Sequence, residues 1–137
     1  MRASRVLLAW CAIIVAESVH GTLRELLLAP RIGSLLARQL AVFTGIAIIF
    51  VIALSLARWM GWRTRRECLL AGLAWVMLTV AFEIALGRLV FGHGWSRILE
   101  DYDPSRGGLM GLGLAAMALT PWLAARLRGQ LDTAADR

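Results

Sequence analysis

Four ionisable side chains stand where an apolar helix would bury them. Glu17, His20 and Arg24 fall in AESVHGTLREL (16–26), the second half of the apolar run that opens the chain, and Glu83 lies late in another such run. Successive helical residues turn by about 100°, so positions 17, 20 and 24 share an arc of roughly 60°, bordered by Ile13 and Gly21. They form one polar stripe. At about 1.5 Å per residue, Glu17 stands some 18 Å from Arg5 along its helix, and Glu83 about 22 Å from Cys68 along its own. Two carboxylates at similar depth, beside an imidazole and a guanidinium, are the groups that bind and pass a proton or hold a cation. The same four can equally form an ion-paired clamp between helices. An ionised group at mid-bilayer costs at least about 2.5–3.5 kcal/mol, so the stripe should face the bundle interior near Glu83, with each carboxylate within reach of a polar group. Two carboxylates this close would repel, so one should carry a proton or share Arg24.

The remaining candidates are weaker. Arg88 sits about 140° around its helix from Glu83, near the end, where an arginine reaches the headgroups. His93, between Gly92 and Gly94, reads as a polar turn residue, Glu25 as solvated, and EDYD (100–103) as a solvated turn ahead of Pro104. EDYD lacks the glycine and ligand spacing of a calcium loop. There is no C-x-x-C, paired His, H-E-x-x-H, G-x-S-x-G, Walker loop or dinucleotide fingerprint, so no metal, cofactor or catalytic residue is expected. Cys11 and Cys68 read as small hydrophobes rather than a disulfide.

The elements that must position these groups follow from composition. Of 137 residues, 59% are hydrophobic and 18% charged, with a mean hydropathy of +0.69; a soluble domain has roughly 45–50% and about 25%. The expected fold is an all-α integral membrane bundle of four transmembrane helices, at about 6–29, 40–56, 68–87 and 109–123. They make one domain over 1–128, with a short polar tail at 129–137. Too few residues lie outside the helices for a soluble core. Arg2, Arg5 and the apolar run after them imitate a signal peptide, but Glu17-Ser18-Val19-His20 offers no cleavage pattern, so the segment is expected to be retained. Pro30 and Gly33 are expected to end the first helix.

With four crossings, nine arginines fall on the side of the termini and the 57–67 loop, and six on the other, which also collects Glu25, Glu100, Asp101 and Asp103. Both ends are therefore expected in the cytoplasm, in a bacterial inner membrane. Arg accounts for all fifteen basic residues other than His; the positive charge faces anionic lipid headgroups rather than nucleic acid. Trp59, Trp62 and Trp122 suit the cytoplasmic interface and Trp95 the outer one, while Trp10 and Trp75 suit packing. Gly107, Gly111 and Ala115 form a small-residue stripe that lets the fourth helix approach another closely, in this chain or in a homo-oligomer. Glu17-x-x-x-Gly21 and Glu83-x-x-x-Gly87 echo each other, over too few positions to establish a repeat.

AIIVAESVHGT (12–22) resembles the first helix of the small multidrug resistance transporters, four-helix proteins of similar length whose first helix carries a membrane-embedded Glu. That resemblance implies a carrier role for Glu17. It spans about a dozen positions and needs one extra residue between Glu17 and Gly21. The second and third helices lack that family's Pro-, Tyr- and Trp-containing patterns, and His20, Arg24 and Glu83 have no counterparts in it, so it stands as an analogy. Two functions follow from the residues: a non-catalytic membrane component with a structural or regulatory polar network, or a small proton-coupled transporter using Glu17 and Glu83.

Overall fold

Apolar runs of this length fold as helices because the backbone then satisfies its own hydrogen bonds. A computed structural model describes residues 3–131, and among them every regular element is helical. Arg2, Arg137 and the rest of the tail beyond Leu131 lie outside the described residues. Four helices are long and apolar enough to cross a membrane: α1 (Ala3–Ile32), α2 (Ser34–Met60), α3 (Arg65–Val90) and α5 (Met110–Leu127). Between α3 and α5, where the sequence reads as loop, lie a short helix α4 (Trp95–Glu100) and a 3-10 turn (Pro104–Arg106). Thr64 caps α3 by accepting from the Glu67 amide, and the Glu67 carboxylate reaches back to the Arg63 amide. This reciprocal cap starts α3 at Arg65, three residues before its apolar run.

Pro30 does not end α1. The helix widens into a π turn over Arg24–Leu28, closed by the Ala29 amide on the Arg24 carbonyl. Pro30 then falls in the first turn of the segment Ala29–Ile32, where its missing N–H costs nothing. Gly33, at φ +92°, makes the stop. The far end of α3 also passes through a π turn, Leu86–Val90, before Gly92 at φ +65°.

The helices alternate in direction. α5 packs on α2 and α3, and α1 packs on the same two, leaving α1 and α5 on one diagonal. One end of the bundle is tied shut. Arg5 donates to the Trp59 carbonyl (2.6 Å), Arg128 to that of Leu54 (3.1 Å), and Gln130 to those of Ala57 (3.0 Å) and Trp62 (3.2 Å). In this closed half, small residues let the helices meet: Ala9, Ala53, Ala57, Ala71, Ala124 and Ala125 are all buried. Gly72 faces α5 so tightly that a Cβ would overlap the Ala118 carbonyl. Trp62 departs from the expected interfacial position. It is 0% exposed and lies edge-on to Trp75 at 6.0 Å, because the α2–α3 connection folds over the core. Trp59 does sit at the surface, under the Arg5 guanidinium.

Candidate functional site: a polar cavity in the open half

Two indole hydrogen bonds set the register of the helices that carry the carboxylates. Trp75 Nε1 donates to the Val6 carbonyl and Trp10 Nε1 to Thr79 Oγ1, both at 3.0 Å and both across 69 residues. The same offset on two successive turns means that α1 and α3 run parallel, with Glu83 level with Ile14 and Glu17 level with Leu86. Glu17 therefore lies about 4.5 Å farther along the bundle than Glu83. The carboxylates are nearly level, as the spacing suggested, yet no hydrogen bond joins them.

Beyond Trp10 and Thr79 the bundle opens around a cavity of about 670 Å³. Its inner part is apolar, with Ile13, Ile49, Phe82 and Met117, and Glu17, His20, Arg24 and Glu83 all reach it. Glu17 Oε2 lies 3.5 Å from His20 Nδ1, while the buried Oε1 has no hydrogen-bond partner. α2 makes room for this carboxylate with Gly45, where a Cβ would stand only 3.0 Å from Oε2. His20 Nε2 is 2.7 Å from Thr44 Oγ1 on α2.

The stripe is not one connected chain. Arg24 pairs with its neighbour Glu25 at 3.2 Å, and its buried Nε has no partner. The π turn begins at Arg24, and a wider turn no longer follows the 100° step that put Arg24 in line with Glu17. Glu83 makes no hydrogen bond or ion pair among the described residues, against the expectation for it. Arg24 nonetheless lies within electrostatic reach of both carboxylates.

The weaker candidates spread around the mouth. Arg88 lies outside the cavity; its guanidinium sits 4.9 Å over the Trp95 ring and donates to the His93 carbonyl at 3.3 Å, holding the turn after α3. His93 lines the cavity with its ring stacked on Phe91 at 5.6 Å. Gly107 stands in a turn rather than in a helix, at φ +81°, and its carbonyl accepts from Gln39 at 2.9 Å. Gly111 lies on an open face where an added Cβ would meet nothing within 4 Å.

Sequence reasoning missed the mouth itself. Asp101, read as part of a solvated turn, accepts from Arg38 at 2.8 Å and from Arg97 at 3.2 Å, with Glu100 3.6 Å from Arg38. Arg38 is only 15% exposed. Gly108 lets the chain double back here, since a Cβ would collide with the Glu100 and Asp101 carbonyls. Tyr102 turns a buried hydroxyl without a hydrogen-bond partner toward the cavity. Burial, then the charges of Glu83 and Asp101, push that hydroxyl above its ordinary pKa, so it stays a neutral donor. The available signal was charge complementarity: an acidic EDYD run on the same side as Arg38 and Arg97.

Among the described residues, no group of His, Cys, Asp and Glu is arranged to hold a metal ion. The chain matches no family model, no curated protein and no solved structure.

Proposed function

We propose that this protein lies in a bacterial inner membrane with both ends in the cytoplasm, and that its cavity is the binding site of a small proton-coupled transporter. Glu17 and Glu83 are the proton-exchanging groups, His20 relays protons to Glu17, and Arg24 tunes both carboxylates from the mouth side. The observation that carries this reading is the cavity: it touches both carboxylates, and one oxygen of Glu17 is left without a partner. A clamp would instead consume its charges in closed pairs, since a buried unpaired polar atom costs about 1–3 kcal/mol. The volume falls within the roughly 300–1,000 Å³ common for small-molecule sites, and π turns such as those beside it often mark functional positions. The orientation rests on the nine-to-six division of arginines.

Proton flux into liposomes holding the purified protein tests the proposal, with a library of small solutes outside and a pH gradient across the membrane. The expected result is solute-dependent flux in wild type, reduced at least about a hundredfold in Glu17→Gln, with folding intact. A Glu17→Gln protein that folds and fluxes like wild type would refute it. A Glu17→Ala protein that fails to fold would favour the structural role, in which the carboxylate serves to hold α1 through His20.

A further inference from the structure

The seam between α1 and α2 contains a hydroxyl whose bonds decide where His20 keeps its proton. Thr44 lies about 15 Å along α2 from Ser34, exposed on the bundle surface rather than in the cavity. Its Oγ1 is 2.7 Å from His20 Nε2 and 3.3 Å from the Ala41 carbonyl. A hydroxyl has one proton to give, and a carbonyl oxygen can only accept. If Thr44 donates to Ala41, its oxygen is free to accept from Nε2–H, and both contacts are hydrogen bonds. If it donates to Nε2 instead, the Ala41 contact is two acceptors facing each other. At this depth a lipid-facing hydroxyl has no water to make up the loss. With Glu17 protonated, its own proton faces Nδ1 and the ring gains no bond there by holding one, so two bonds on the Thr44 side against one select the protonated Nε2.

In the neutral ring the lone pair is then on Nδ1, which faces Glu17 Oε2 at 3.5 Å. We infer that Thr44 is a positioning residue: by holding His20 in its Nε2–H form, it makes Nδ1 the nitrogen that takes a proton from Glu17. The step is self-contained. The Oε2–H bond of Glu17 breaks as an Nδ1–H bond forms, leaving a carboxylate beside an imidazolium whose Nε2–H still donates to Thr44; the reverse step restores both neutral groups. The separation exceeds hydrogen-bond length by about 0.5 Å, so transfer waits on a small movement of ring or carboxyl or passes through one cavity water. The function of the step rests on the transport reading above; the ring's tautomer does not.

The test is solid-state NMR of the full chain in lipid, labelled with ¹⁵N-histidine and held at a pH where the His20 ring is neutral and the infrared carboxyl band shows Glu17 still protonated, with His20→Gln identifying the His20 signals. The expected wild-type pattern is protonated Nε2 and bare Nδ1. Thr44→Val keeps the side-chain shape but cannot accept, so the ring should turn to donating Nδ1–H to Glu17, and Thr44→Ser should restore the wild-type pattern. Proton flux should fall at least about tenfold in Thr44→Val and recover in Thr44→Ser. A proton on Nδ1 in wild type, or a tautomer indifferent to Thr44→Val, overturns the inference even if Glu17 still governs flux. Conversely, the expected tautomers with no wild-type flux would sink the transport reading and leave the role of Thr44 in setting the ring standing.

Discussion

The two halves of this bundle use the same four helices in opposite ways. Toward the termini, α1, α2, α3 and α5 meet through alanines, Gly72 and two interlocked tryptophans, and the core residues are fully enclosed. Beyond the level of Trp10 and Thr79, the helices stand apart around a cavity edged with charge. Side-chain size accounts for the difference. Small residues let backbones approach until van der Waals contact holds them, whereas Phe82, Ile46 and the carboxylates keep the other half from closing. The packed half serves as a rigid base, and its two indole hydrogen bonds fix the register that brings Glu17 and Glu83 level. Order in one half permits an incompletely satisfied site in the other.

The sharpest way to break this contrast is to add one methyl group to each half. Gly72→Ala drives a Cβ into the Ala118 carbonyl and should cost about 3 kcal/mol or more, as for severe overpacking. Gly113→Ala, whose Cβ would meet Val42 at an ordinary 3.5 Å, should change stability by less than about 0.5 kcal/mol. Unfolding of both variants in the same detergent or lipid decides it, and equal losses would mean that the halves are packed alike. Trp75→Phe comes next. It removes the indole bond to the Val6 carbonyl and the contact with Trp62, with an expected loss of about 1–3 kcal/mol.

How far the sequence reveals the molecule divides between local rules and long-range contacts, in both halves. The four apolar runs and the similar depth of the two carboxylates were readable, because helical pitch and the cost of buried charge are local rules. The π turn that detaches Arg24 was not, since Pro30 reads as a stop until the widened turn ahead of it is seen. Trp62 misleads for a related reason: an indole beside arginines suits an interface, and only the fold of the connection buries it. The Asp101 cluster depends on α4 bringing residue 101 to Arg38, a contact across 63 residues that no local pattern records.

Smaller effects belong to the open half. Arg38→Gln should loosen the mouth by about 1 kcal/mol or less, since Asp101 is 40% exposed and keeps Arg97. The wild-type stability in excess of the variant should shrink in high salt. Gly45→Ala should barely alter stability but displace the Glu17 carboxylate, cutting proton flux by about tenfold. The smallest effect is at Asp103, whose carboxyl is held below its ordinary pKa by the hydroxyl and amide of Ser105. A depressed folded-state pKa adds stability that is present above the carboxylate range and disappears as pH falls below about 4. The Ser105 amide should therefore exchange faster with solvent in acid, and Asp103→Ala should remove that acid dependence.

Infrared difference spectroscopy of the protein in lipid bears most directly on whether Glu17 exchanges protons with the cavity. Raising the pH should convert a protonated carboxyl band into carboxylate bands, the carboxyl band should shift in D2O, and this pair should vanish in Glu17→Gln while the amide bands stay unchanged. A wild-type spectrum with the same titrating bands as Glu17→Gln would show that Glu17 is sealed in one protonation state, and the open half would then be structural.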